Sequence, residues 1–359
     1  MPLAFTHDVR APRVVFGAGA LERIPDELDR LGATRVLLIC TPRRGDAVER
    51  VAAAAGARVA GVFDGARMHV PAEVADAALA EARRVGADLC IAVGGGSAIG
   101  VAKAVALRDG PPFIAVPTTY AGSEMTAIWG ISAEGRKTTG RDPRVLARTV
   151  LYEPALTIPL PPGVTAASGM NAIAHCVEAL YAHDGSSVTS LLAEEGIRAL
   201  ASSLPAAVRD GTALDARSGA LYGAWLAGGA LGAVAMGLHH RICHTLGGTF
   251  DLPHAETHAV MLPYVAAFNA PAAPDAMHRA ARALGAEDAA AALFDLRAAL
   301  GCPASLRELG MREDRLDAAA ERVVETPYPN PRPFDTDYVR AILADAWAGR
   351  RPSSVQAGS

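Results

Sequence analysis

The sequence predicts an α/β N-terminal domain built on a mostly parallel sheet, joined to an all-α C-terminal domain. Three observations carry this. Short apolar runs alternate with amphipathic stretches through the first half; a proline-rich break, "IPLPPGV", falls at 158–164; and the second half is long, alanine-rich and almost without strand signals. Strand, helix, strand, helix in succession implies parallel strands covered on both faces. At 359 residues the chain exceeds what one core usually serves. The expected division is 1–157 and 158–351, with 352–359 as a disordered tail.

Taken in order, "RVLLIC" (35–40), "AGVFD" (60–64), "LCIAVG" (89–94) and "FIAVPTT" (113–119) read as buried strands. Between them "GDAVERVAAAAG" and "PAEVADAALAEARRVG" carry helical spacing. Beyond the break, helices are expected at about 164–183, 190–209, 214–236, 237–248 and 274–300.

Composition narrows the classes of function. Hydrophobic residues make up 51% and charged residues 20%, enough apolar material for a large core. A net charge of −4 leaves no polybasic footprint for nucleic acid or an anionic membrane. The start, "MPLAFTHDVRAPRVVFG", has no apolar segment behind a basic one, so neither a secretory signal nor a membrane span is expected. Five cysteines (Cys40, Cys90, Cys176, Cys243, Cys302), scattered without a CxxC pair, read as reduced thiols of a cytoplasmic enzyme. Cys243 is expected to be a small buried apolar residue.

The glycine-rich signal is "IAVGGGSAIGVAKAVA" (91–106). Gly94, Gly95 and Gly96 leave a strand and Ser97 opens a helix, so backbone N–H groups can face a pyrophosphate with no Cβ in the way. This is not GxGxxG, and "FGAG" at 16–19 also lacks the third glycine. A tight structural turn is the alternative. The next strand end, "PTTYAGSEMT" (117–126), brings the hydroxyls of Thr118, Thr119 and Ser123 to the same carboxyl edge, which favours a nucleotide.

The stretch "GLHHRICHTLGGTFDLPH" (237–254) holds four of the ten histidines. His240 and His244 are four apart, as are Asn171 and His175 in "GMNAIAH", so each pair projects from one helix face. His254 lies ten residues after His244. Two such pairs and a further histidine beyond a glycine break predict a functional cluster. His239 points about 100° away from its neighbour and is expected only to pack.

These stretches, with "VVFGAGALERIP", "KTTGRDPRVLARTVLY", "SGMNAIAHCVEALYA", "HAETHAVMLPY" and "NPRP", identify the chain as resembling the iron-containing alcohol dehydrogenase superfamily, of dehydroquinate synthase-like fold, and within it the maleylacetate reductases. The resemblance implies an N-terminal dinucleotide-binding domain, a helical catalytic domain, nicotinamide and substrate held between them, and a homodimer. Gly94, Gly95, Gly96 and Ser97 resemble the pyrophosphate loop. Thr41, Thr118, Thr119, Ser123 and Lys137 resemble cofactor contacts. In metal-dependent relatives an aspartate and three histidines hold a divalent ion; those places are Asn171, His175, His240 and His254 here. His244 matches a histidine usually found beside the nicotinamide.

Asn171 is the departure. An amide offers a cation a neutral oxygen, so Fe²⁺ or Zn²⁺ is expected to bind weakly if at all. Asparagine here, and Gly100 where many relatives carry an acidic residue, are forms seen in maleylacetate reductases. The implied reaction is reduction of the C=C bond of maleylacetate, a dianionic keto acid, to 3-oxoadipate in aromatic-compound degradation. His244 or His254 is expected to supply the proton while His175, His240 and Asn171 stabilise the developing oxyanion. The substrate's carboxylates call for cations or donors: Lys103, Lys137 and Arg141 are candidates for phosphate or carboxylate contacts and Arg332 with Tyr328 for reaching the cleft from the C-terminus, as against solvated or capping groups. The turn "CTPRRG" (40–45) lacks an aspartate and carries Arg43 and Arg44, so NADH and NADPH are both expected to serve. The alternatives are a metal-dependent alcohol or aldehyde oxidoreductase, a relative acting on another unsaturated keto acid in a biosynthetic pathway, and a nucleotide-binding protein without catalysis.

Overall fold

The computed structural model describes residues 5, 7, 10–42, 45–133, 136–326 and 328–352, with side chains at 136 and 137 left aside. The expectations for Arg43, Arg44, the Lys137 side chain and the tail from 353 onward lie outside the described residues. The chain divides into two units, one running Val9–Leu160 and the other taking in Pro161 onward.

The first unit is the α/β one. Strands β1 (Arg13–Phe16), β2 (Val36–Ile39), β3 (Val59–Phe63), β4 (Leu89–Gly94), β5 (Phe113–Pro117) and β8 (Thr149–Tyr152) form a parallel sheet in the order β1-β8-β5-β4-β2-β3. Helices α1 (Ile24–Leu31), α2 (Asp46–Ala55), α3 (Ala72–Arg84) and α4 (Gly96–Leu107) connect them. A separate antiparallel hairpin, β6 (Ile128–Ala133) with β7 (Arg136–Arg141), is inserted before β8. The four expected strands are present within a residue or two, because runs such as Val36–Ile39 are buried on both faces and therefore apolar throughout. Leu38, Ile91, Ile114 and Leu151 pack with Ile24, Leu28 and Val51 into one core. Chain order reverses between β2 and β4: the chain steps from β2 outward to β3, then returns past β2 to β4. Ligands of open parallel sheets sit outside the carboxyl ends of the strands at such a switch.

The second unit is helical: α5 (Pro162–Tyr181), α6 (Ser187–Arg209), α7 (Leu214–Ala233), α8 (Leu238–Phe250), α9 (His254–Asn269), α10 (Pro274–Leu284), α11 (Ala289–Ala299), α12 (Leu316–Val324) and α13 (Thr336–Ala348). Small residues let the first three approach closely; a Cβ on Gly169 would stand 2.4 Å from a Leu204 methyl, and one on Gly223 2.7 Å from Leu200 Cγ. The single helix expected at 274–300 is two, because Gly285 turns the chain at φ 69° and Asp288 caps a new start through its side chain. Helix α9, absent from the expectation, is buried on every side from Thr257 to Asn269 and contains Pro263, so no 3.6-residue stripe marks it. Among the described residues no single helix is long and apolar enough to cross a membrane; the uncharged stretch 218–238 is divided between α7 and α8, which are bent by 98°.

Candidate active site

The carboxyl edge of the sheet gathers Thr41, Gly94–Ser97, Thr118 and Thr119 of the expected nucleotide contacts, while Ser123 lies in the turn 123–125 and its carbonyl accepts from Lys103. Gly94 pairs with Pro117 across β4 and β5, and β2 runs alongside β4, so Thr41, Gly94–Ser97 and Thr118–Thr119 leave three adjacent strands. Gly94 has φ 143°, a conformation an L side chain rarely adopts. A Cβ on Gly95 would fall 2.8 Å from Thr119 Oγ1, whereas one on Gly96 would meet nothing within 4 Å. Gly95 is also the N-cap of α4, with no side chain satisfying that end, so its free N–H groups are offered to an anion. Gly100 lies one turn further on, and a Cβ there would meet Val70 Cγ2 at 2.6 Å; close packing occupies the place where an acidic side chain would stand.

Lys103 does not reach this edge. Its buried ammonium donates to the carbonyls of Ser123 (2.6 Å), Thr126 (2.8 Å) and Ile128 (2.7 Å), so all its protons hold the turn into β6. Burial pushes its pKa down to about 7, against the pull of Glu124. Glu124, fully buried itself, accepts from Tyr152 Oη at 2.8 Å, and burial raises its pKa. The expectation that Lys103 contacts phosphate or carboxylate is therefore corrected. Arg141, by contrast, is exposed at the end of β7.

In the helical unit six imidazoles form one nest at the junction of α5, α8 and α9. His175 and Asn171 come from α5, His239, His240 and His244 from α8, and His254 and His258 from α9. His175 Nδ1 and His240 Nε2 are 2.8 Å apart, and Asn171 Nδ2 is 3.3 Å from His175 Nε2. His239 Nε2 and His258 Nδ1 are 2.9 Å apart. The rings of His244 and His254 stack at 6.1 Å, and that of His258 lies 4.5 Å from His254 and 4.8 Å from His240. The nest has a depth axis: His239, His240, His258 and His175 are at most 4% exposed, His254 is half-buried and His244 is exposed.

One carboxylate anchors the deep end. Glu178 accepts from the backbone N–H of His239 (2.9 Å) and His240 (3.3 Å) at the start of α8, and also contacts His240 Nδ1. It thus caps the helix and orients one imidazole with the same group. Gly237 makes room, since a Cβ there would stand 2.9 Å from Glu178 Oε1. Because a carboxylate accepts, His240 donates through Nδ1 and its Nε2 accepts from His175 Nδ1–H, which leaves His175 Nε2 to accept from the Asn171 amide. Burial raises the Glu178 pKa and lowers those of His239 and His240 to about 3 and of His258 well below the usual range. Burial thus favours the neutral forms of His239, His240 and His258.

Asn171 Oδ1, His239 Nδ1 and His258 Nε2 are buried without a hydrogen-bond partner. Each such atom costs about 1–3 kcal/mol if nothing meets it. As a test of metal fit, the donor set of neutral imidazoles and an orphaned amide oxygen suits a divalent ion in kind, and Glu178 behind His240 is the outer carboxylate such sites use. Among the described residues no charged ligand faces it, so binding should be weak.

All five expected residues of the cluster meet here, and three not expected to act join them. Glu178 comes three positions after His175 and His258 four after His254, so helical spacing carried a signal for both. The turn of His239 away from His240 points to packing alone, but α9 brings His258 to meet it. Arg332 is drawn into packing: its guanidinium lies 4.4 Å from the Phe268 ring and 5.0 Å from Tyr338, and donates to the Phe268 carbonyl at 3.1 Å. Tyr328 is partly buried between α12 and α13.

Comparison with known proteins agrees with this architecture. Residues 11–154 match the profile for iron-containing alcohol dehydrogenase and residues 165–347 that for the Fe-containing alcohol dehydrogenase family, C-terminal. The chain is 54% identical to a maleylacetate reductase of Burkholderia cepacia over 98% of its own length and 99% of the relative's. Crystal structures of maleylacetate reductases from Agrobacterium tumefaciens (45% identity, TM-score 0.94) and Rhizobium sp. strain MTP-10005 (46%, TM-score 0.93) each cover 97% of this chain, and it covers 99% of both.

Proposed function

From the premise that the chain belongs to the iron-containing alcohol dehydrogenase family and is an oxidoreductase, we propose that it reduces the C=C bond of maleylacetate to 3-oxoadipate with NADH or NADPH, in the breakdown of aromatic compounds. The observation that carries this reading is the imidazole nest closed by an amide at Asn171, a proton-handling site that turns no carboxylate toward a dianionic substrate.

Gly94–Ser97, Thr118 and Thr119 would hold the dinucleotide, which when bound would supply hydride to the carbon beta to the ketone. The C=C electron pair then moves onto the alpha carbon and ketone oxygen as an enolate. The alpha carbon must gain a proton. His244 is exposed and stacks on His254, so this pair can deliver a proton and recover it from water, which the deep imidazoles cannot. His175 and His240 spend their N–H protons on His240 and Glu178, so of this group the second N–H of the Asn171 amide is the donor left for the enolate oxygen. Asn171, His175, His240 and His254 would hold a divalent ion, which when bound would polarise that oxygen. Arg141 remains the candidate for a substrate carboxylate.

The test is NAD(P)H consumption with freshly generated maleylacetate, on enzyme stripped with chelator and then refilled with Zn²⁺ or Fe²⁺. Turnover by stripped enzyme, yielding 3-oxoadipate, is expected and makes the imidazoles sufficient. Turnover only after refilling would make the ion part of the oxyanion site. Silence in all conditions would overturn the substrate and favour another unsaturated keto acid.

A further inference from the structure

His258 has no part in the reaction as described, yet it sits at the centre of the nest. It is fully buried, and its ring lies 4.5 Å from His254, 4.8 Å from His240, 6.2 Å from His175 and 6.5 Å from His244. Nδ1 is committed to His239 Nε2 at 2.9 Å, while Nε2 is buried with no partner.

His239 is the group that can fix which nitrogen carries the proton. Its Nε2 faces two groups, His258 Nδ1 at 2.9 Å and Cys243 Sγ at 3.7 Å. One imidazole lone pair cannot accept from both, whereas one N–H can fork between them. With His239 as the donor, His258 Nδ1 accepts and the single proton of a neutral His258 resides on Nε2. A keto dicarboxylate offers acceptors only.

We propose that His258 Nε2–H is a donor to an oxygen of the bound substrate, with His239 as the positioning residue that sets its tautomer. This rests on the dianionic keto acid proposed above. His258→Phe removes both nitrogens and keeps the ring volume; His258→Gln restores a donor near Nε2. Steady-state kinetics with maleylacetate, NADH affinity by fluorescence, 3-oxoadipate affinity by calorimetry and Tm would be measured on both variants and on His239→Leu.

The expected result for His258→Phe is a fall in kcat/KM of about 10- to 100-fold, with weaker 3-oxoadipate binding and unchanged NADH affinity, the loss expected for a donor to a charged oxygen. His258→Gln should recover part of that loss, and His239→Leu should fall between. A His258→Phe variant as active as wild type would overturn the role of His258 while leaving the reductase reading intact. So would equal losses in the Phe and Gln variants accompanied by a lowered Tm, since that pattern is structural. Wild-type enzyme that neither reduces maleylacetate nor binds 3-oxoadipate would overturn both readings together.

Discussion

At the carboxyl edge of the sheet the polar groups are backbone N–H and threonine hydroxyls on half-buried residues, whereas at the junction of α5, α8 and α9 they are imidazoles with 0–4% exposure at the deep end. The two regions fail in different ways. Binding at the sheet edge depends on space, because the α4 N-terminus works only if nothing projects from Gly94 and Gly95. Chemistry in the nest depends on which nitrogen holds a proton, and that is set by partners such as Glu178 rather than by room. Changes of size should therefore damage the first region, and isosteric changes of chemistry the second.

The largest expected effect is at the exposed end of the nest. His244→Ala should lower kcat by about 10²- to 10⁴-fold, the usual worth of a positioned general acid, with NADH affinity kept. Near-wild-type turnover would mean that His254 alone supplies the proton. Next comes Glu178→Gln, which preserves shape but lets the amide donate and so can reverse the tautomer of His240 and His175. Turnover and any Zn²⁺ affinity should drop by about 10- to 100-fold, measured by kinetics and calorimetry. An unaffected variant would reduce Glu178 to a helix cap.

For the sheet edge, Gly95→Val places a branched side chain where Thr119 Oγ1 is only 2.8 Å from the Cβ position. KM for NADH should rise about 10-fold, since one misplaced anion contact is worth about 1–2 kcal/mol, while kcat stays near wild type. A fall in kcat at unchanged KM would show that the loop does more than bind.

The smallest effect concerns stability. His239 and His240, at about 3, and His258, lower than usual, bind protons in the unfolded chain near the ordinary histidine value but not in the fold. Their contribution is complete above about pH 6.5 and is lost as pH falls below it, by at most about 1.4 kcal/mol per pH unit for each proton taken up on unfolding. Denaturant unfolding of chelator-treated enzyme from about pH 7.5 down to about pH 5 should show this slope, and His258→Phe should lessen it. A flat profile would mean that the deep imidazoles are already protonated in the fold.

Much of the site was legible in the residues. The i,i+4 pairs Asn171–His175 and His240–His244 were readable because a helix repeats its face every three to four residues, and "GGGS" after an apolar run marked the open glycine turn between β4 and α4. The hairpin β6–β7 was not, since "RKTTGR" is polar and partly exposed and reads as a loop with cations. Lys103 misled for a related reason: nothing in "GVAKAVA" shows that an apolar helix buries its lysine under three carbonyls. Arg332 likewise reads as available from "NPRP" alone, whereas Phe268 and Tyr338 lie beneath it.

By itself the sequence determined the α/β-then-helical order, the glycine loop and most of the imidazoles, because these rest on local periodicity and on residues whose chemistry is the same in any context. Tertiary structure decided the rest. It brought α9 against α8, so that His258 meets His239 and the nest acquires a centre, and it set Glu178 behind His240, so that a chain of imidazoles acquires a direction. Both depend on contacts between residues 19 and 62 positions apart, a range over which no repeat in the sequence reports on proximity.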